Sequence, residues 1–236
     1  MSTEPVPGVA VVTGASAGIG RAIAERLLGD GWRVTGLDVA PPTLAHAGFS
    51  HRPVDLTDAA SIDAAAQVIG VPDAFVHAAG VLRVGALGAL DARGGELMWR
   101  LHVAAAERLA NAWLPAMAER GHGRAVLVGS RVSQGMPGRS QYAATKAALI
   151  ALSRSWAAEL APHGVTVNVV SPAATRTGML ADPARAASLP RLPPMGRLIE
   201  PAEIAALVAF LLSPAAAPIT GQDIAVCGGS SLPTPA

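Results

Sequence analysis

The stretch QYAATKAA, residues 141–148, holds the only tyrosine and the only lysine of the 236-residue chain, Tyr142 and Lys146, in a protein that otherwise uses arginine for its long cations. A phenol titrates at about 10, so it is neutral at physiological pH, yet a neighbouring ammonium favours its phenolate and makes it a better acid. Residues four apart share one helix face, and the alanine-rich pattern over 141–161 predicts a helix. Tyr142 is thereby a candidate general acid or base, and Lys146 the group that tunes it. Ser130 ends the apolar run RAVLVGS (124–130), where a strand-end hydroxyl can hydrogen-bond an oxygen on which negative charge develops. His102, in RLHVAAA, adds a ring that titrates near neutrality and can hold a water or relay a proton. Taken singly, a YxxxK pair also fits a helix surface and a strand-end serine also fits a turn. Their coincidence is what points to catalysis.

A second element supplies a partner for that chemistry. TGASAGIG, Thr13 to Gly20, follows the apolar run VAVV (9–12) and precedes the helix-like RAIAERLLGDG. Glycines at 14, 18 and 20 allow a tight turn, close approach of a ligand to the main chain, and packing of the helix on a sheet. The helix N-terminus then offers free N–H groups to a pyrophosphate. Asp38 closes the next apolar run at the separation where an acidic residue meets adenosine ribose hydroxyls. A carboxylate there repels a 2′-phosphate, which predicts NAD as the cofactor, with NADP disfavoured.

The elements that must position these groups alternate. Short apolar runs at 9–12, 33–37, 73–78, 124–130 and 165–171, with further ones near 54 (HRPVDL) and 225 (DIAVC), are separated by longer stretches of helical spacing. Runs apolar throughout suit strands covered on both faces, so the pattern predicts an α/β, doubly wound fold of about seven parallel strands with helices on both faces. No composition shift divides residues 1–236, which predicts a single domain, and the irregular, proline-rich 178–196 is read as a lid over the site. The formal charge of +1 is spread over mixed signs, which gives no footprint for nucleic acid or for an anionic membrane. The apolar run 204–222 is broken by Pro214 and Pro218, against a membrane span. MSTEPVPG lacks the basic and apolar regions of a secretory signal, and the single Cys227 suits a reducing compartment. A cytoplasmic enzyme with a small-molecule partner and no metal is the expectation.

Read in order, TGASAGIG, VDLTD at 54–58, HAAG at 77–80, VLVGS, YAATK, NVVSPAATRT from Asn168 and ITGQDIAVCGG from Ile219 resemble the short-chain dehydrogenases/reductases in their compact form, from about Val9 to Gly229. The resemblance implies a Rossmann-like fold, a nicotinamide cofactor and hydride transfer at an alcohol or carbonyl carbon. It implies cofactor contacts from Gly14, Ser16, Gly18, Ile19 and Gly20 in the first turn, Asp38, then Asp55 and Leu56 at the adenine. Ala78, Ala79 and Gly80 follow, then Tyr142, Lys146 at the nicotinamide ribose, Pro172, Thr175, and Thr177 at the nicotinamide carboxamide. Catalytic roles fall on Ser130, Tyr142 and Lys146. The chain departs from the family at His77, at SPAA and CGG, and at His102, which stands where the family has an asparagine that supports a water linking the lysine to solvent.

Three functional classes follow. The first is an NAD-dependent dehydrogenase of a secondary alcohol or polyol, run in reverse as a ketone reductase. The second is a reductase of 3-oxoacyl thioesters, for which the resemblance implies NADPH. The third is an NAD-binding regulatory subunit of low turnover. Arg131, Gln134 and Met136, with Met179, Leu180, Leu189 and Leu192 of the lid, give a mixed apolar and polar pocket. The resemblance also implies a homo-oligomer, tetramer or dimer, with the helix ending near Arg120 and the helix bearing Tyr142 at an interface.

Overall fold

A computed structural model describes residues 8–181 and 192–232. The apolar runs form β1 (Val9–Thr13), β2 (Arg33–Asp38), β3 (Phe49–Pro53), β4 (Ala74–His77), β5 (Gly123–Val128), β6 (Val165–Pro172) and β7 (Asp223–Val226). They make one seven-stranded sheet in the order β3-β2-β1-β4-β5-β6-β7, every pair parallel. Parallel neighbours need crossovers, and helices supply them: α1 (Gly18–Gly29), α2 (Ala59–Ile69), α3 (Ala92–Trp99), α4 (Ala105–Glu119), α5 (Ser140–Leu160) and α6 (Pro201–Leu212). Only β2 and β3 are joined by a loop.

Two cores result from side chains that alternate across the sheet. Val11, Phe75, Ala125, Leu127 and Val167 face Leu109, Trp113, Met117 and Leu149 of α4 and α5. Ala10, Val12, Ala74, Val76 and Val126 face Ile23, Leu27, Ile204 and Val208 of α1 and α6. Every position of β4, β5 and β6 is buried, which is why those runs are mainly apolar, and the polar groups they do carry, such as Asn168, are buried with hydrogen-bond partners.

Some boundaries differ from the sequence reading. The third strand lies at Phe49–Pro53, before the Val54 on which the sequence centres it. It is an edge strand with exposed or half-buried side chains, so the strongest apolar signal comes from Val54 and Leu56, which bury just beyond it. The predicted helix 141–161 runs Ser140–Leu160 and tightens into a 3-10 turn at Ala161–His163. Of the predicted lid, Gly178–Ala181 is a 3-10 turn, and 182–191, with Leu189, lies outside the described residues. One element had no counterpart in the sequence reading: α3 and α4 are joined by a π-helical turn, Arg100–Ala104, with His102 buried at its middle. Among the described residues no helix is long and apolar enough to cross a membrane.

Candidate active site

Strand order reverses between β1 and β4, because the chain leaves β1 towards β2 and β3 and returns on the other side to β4. The crevice outside the carboxyl ends of these strands is where doubly wound sheets take ligands. The turns after β1, β4, β5 and β6 meet there.

Gly14 sits at φ 68° and Gly18 at φ 54°, left-handed conformations that a side chain would strain. A methyl on Gly14 would lie 2.8 Å from Ala79 Cα, and one on Gly20 would lie 2.2 Å from the Gly14 carbonyl oxygen. The cradle is thus held open by glycine at each point where main chains approach. Ala17, the first flanking residue of α1, offers no side-chain cap, so the opening N–H groups of that helix are left to a ligand. Ile19 is partly buried against the core, and Thr177 brings its methyl to within 3.4 Å of where a side chain on Gly18 would begin. Thr13 Oγ1 accepts from Ala78 N and Ala79 N, each at 3.0 Å, which fixes the turn after β4 beside the glycine turn.

Asp38 ends β2 with its carboxylate tied to this cradle: Ser16 N donates to Oδ2 and Ala40 N to Oδ1, both at 3.0 Å. The Ser16 hydroxyl in turn donates to Ala40 O. Asp55 is exposed, and Thr57 donates to its Oδ1 from main chain and hydroxyl, which together hold its carboxyl below the usual range. Leu56 is buried in the core, so its side chain is not open to a ligand. Pro172 closes β6, and the Thr175 hydroxyl donates to Ala173 O while Thr175 bridges to Ile199. The donors, the glycine cradle and the strand-end carboxylate fit an adenine dinucleotide.

On α5 the Lys146 Nζ lies 5.8 Å from the centroid of the Tyr142 ring and donates to Val128 O at 2.8 Å. Lys146 is buried, and burial pushes its ammonium down to about 7. A methyl on Gly80 would lie 3.7 Å from Nζ and 3.1 Å from His102 Nε2, so the turn after β4 runs directly past both. Ser130 caps the 3-10 turn Arg131–Gln134 by accepting from Val132 N at 3.2 Å, which leaves its hydroxyl proton to donate elsewhere.

The mouth is built from two loops stitched together. Gly85 N donates to Gly138 O at 3.0 Å, Gly85 pairs with Arg139, and Gln141 Nε2 donates to Asp91 O at 3.0 Å. Of the predicted pocket residues, Arg131 and Gln134 lie in the capped turn and Leu192 is exposed.

Three residues outside the predicted site support it. Thr13 opens the glycine motif, His77 stands where the chain departs from the family, and Thr145 precedes Lys146 in YAATK without a chemical signal of its own. His77 Nδ1 lies 3.0 Å from Thr13 Oγ1 and its Nε2 3.2 Å from Leu101 O. His102 Nε2 accepts from Val81 N at 3.0 Å, its Nδ1 lies 2.8 Å from Thr145 Oγ1, and that hydroxyl donates to Tyr142 O.

The family model described as enoyl-(acyl carrier protein) reductase matches residues 14–231. The chain is 39% identical to the 3-oxoacyl-[acyl-carrier-protein] reductase FabG of Escherichia coli K12, over 94% of this chain and 96% of that protein. A solved short chain dehydrogenase/reductase family protein matches with a TM-score of 0.86 at 33% identity, over 96% of this chain and 98% of that one. The ligand-free aldohexose dehydrogenase of Thermoplasma acidophilum matches with a TM-score of 0.89 at 29% identity, over 98% and 96%. With the crevice, the glycine cradle and the Tyr142–Lys146 pair already in place, these likenesses establish that the chain belongs to the short-chain dehydrogenase/reductase family and is a nicotinamide-dependent oxidoreductase acting on CH–OH or keto groups.

Proposed function

We propose that this chain reduces the keto group of a 3-oxoacyl thioester, and that it draws on NADH in preference to NADPH. The substrate reading is carried by the 39% identity to a 3-oxoacyl reductase over nearly the whole of both chains. It moves that class ahead of the alcohol or polyol dehydrogenase expected from sequence, which keeps the support of the aldohexose dehydrogenase likeness. The cofactor reading is carried by Asp38, whose carboxylate is fixed beside the glycine turn, with alanine at 17 and 40 and no basic residue from 14 to 20.

Bound in the crevice, the cofactor supplies hydride to the carbonyl carbon. The chain's own groups manage the oxygen. Ser130 donates its hydroxyl proton to the carbonyl oxygen as charge builds, and Tyr142 delivers the proton that completes the alcohol. Lys146 spends one of its three donors on Val128 O, leaving the others for ribose hydroxyls, and its charge favours the phenolate that remains. In the alcohol-to-ketone direction the same phenolate is the base.

The open groove between α4 and α5, about 730 Å³ and bordered by Asn111, Leu114, Trp156 and Leu160, supports a homo-oligomer joined through those helices, in a reducing cytoplasm where a lone Cys227 stays free. Light scattering of the purified protein tests the assembly.

The deciding experiment is a steady-state panel. Acetoacetyl-N-acetylcysteamine is offered with NADH and with NADPH, and secondary alcohols and aldohexoses are offered with NAD and NADP. The proposal expects the highest kcat/KM for the thioester with NADH. Turnover confined to polyols overturns the substrate, faster turnover with NADPH overturns the cofactor, and no turnover with any pair leaves the regulatory reading.

A further inference from the structure

Behind Lys146 two buried histidines carry hydrogen bonds that fix their protons. Thr13 Oγ1 already accepts two N–H groups, so its one proton goes to His77 Nδ1, and the proton of that ring must be on Nε2, from which it donates to Leu101 O. His102 is the reverse. Val81 N can only donate, so Nε2 is bare; Thr145 gives its own proton to Tyr142 O, so Nδ1–H donates to Thr145 Oγ1. Opposite tautomers satisfy every partner, and neither ring has a nitrogen left over.

The setting keeps both rings neutral. Both are fully buried, and a second ring proton would point N–H at N–H on His102 or O–H on His77. The charged or titratable groups facing them are Lys146 and Tyr142 from α5 and the two histidines themselves. Burial, followed by the Lys146 charge, pushes His77 down to about 3 and His102 well below its ordinary value.

The two rings grip one structure from both ends. The π-turn breaks the regular helix ladder at Arg100–Ala104, and the freed Leu101 carbonyl is taken by His77. The main chain from Ala78 to Val81, which passes Lys146 at Gly80, is held by Thr13 at Ala78 and Ala79 and by His102 at Val81. His102 then continues through Thr145 to the main chain of Tyr142.

We propose that His77 and His102 are positioning residues of the hydride-transfer site, two fixed neutral imidazoles that brace the π-turn between the cofactor cradle and α5 and hold Tyr142 and Lys146 in register with Gly80. This gives His102 a different task from the proton relay expected from the sequence. It rests on the reading of Tyr142 as the acid, so Tyr142→Phe is assayed in parallel; retained activity there sinks that reading, independently of the histidines.

Two measurements test the brace. The ¹⁵N shifts of the imidazoles in the apo-protein between pH 5.5 and 8 should show His77 protonated on Nε2 and His102 on Nδ1, with no titration; a titrating ring or equal tautomers overturns it. The second is kinetic. His102→Gln keeps an acceptor for Val81 N, His102→Asn keeps a donor for Thr145, His102→Ala keeps neither, and Thr145→Val removes the link to α5 while leaving the bond to Val81 N. Since a misplacement of about 1 Å can slow a reaction on the order of 100-fold, His102→Ala should lower kcat by roughly 10- to 100-fold, with Asn and Gln each recovering part. The deuterium isotope effect on kcat with 4-deuterated NADH should rise as hydride transfer becomes limiting, while the pH profile keeps its limbs. A limb lost in both Asn and Gln variants restores the relay. A lower Tm with unchanged kcat per folded site and an unchanged isotope effect leaves only a packing role and overturns the proposal.

Discussion

Lys146 holds its ammonium 5.8 Å from the centre of the Tyr142 ring while donating at 2.8 Å to the main chain of Val128, so a buried cation is shared between a strand end and a phenol one helical turn away. A charge in that place is destabilising by itself. Its folded pKa of about 7 lies below the unfolded value of about 10.4, so the unfolded chain binds more protons between those limits and stability rises with pH across the window. Lys146→Met should therefore raise the Tm of the apo-protein at pH 7, and the gain should shrink as pH climbs towards 10, measured by calorimetry. Activity should fall at least about 100-fold in the same variant, and Lys146→Arg should not rescue it, because a forked guanidinium does not fit a point-charge site.

Tyr142→Phe should lower kcat by roughly 100- to 10,000-fold. Ser130→Ala removes one donor to the developing oxyanion and should cost about 100- to 1,000-fold in kcat. Stopped-flow hydride transfer, followed at the NADH absorbance, separates both losses from weaker binding.

The anchored carboxylate of Asp38 should govern the choice between cofactors. Asp38→Asn keeps an acceptor for Ser16 N or Ala40 N while removing the charge. The ratio of kcat/KM with NADPH to that with NADH should rise on the order of tenfold, equal to ~1.4 kcal/mol of relieved repulsion.

At Gly14 a side chain meets two obstacles, a left-handed φ and the Ala79 main chain at 2.8 Å. Gly14→Ala should destabilise the fold on the order of 1–3 kcal/mol and weaken NADH binding, read by urea unfolding and by nicotinamide fluorescence.

What the sequence reveals and what it conceals divide along physical lines. β4, β5 and β6 are legible because strands buried on both faces are mainly apolar. β3 is displaced in the reading because an edge strand needs no such run. The glycine cradle is legible because a positive φ and a close main-chain approach admit few residue types, and the Tyr142–Lys146 pair because a spacing of four puts both on one helix face. The π-turn is not, since RLHVA carries the same periodicity in a regular helix, and the tasks of Thr13, His77 and Thr145 depend on partners 24 to 66 residues distant that only the fold brings near.

The seam between the loop after β4 and the segment leading into α5, closed by Gly85 on Gly138 and by Gln141 on Asp91, makes the wall of the mouth and the footing of Tyr142 a single mechanical part. An insertion at 86–90 that reshapes the wall would pull on the first turn of α5, which carries the phenol itself. New substrate ranges on this scaffold should therefore come from exchanging both loops as a matched set, because a graft of either one alone would displace the acid together with the wall.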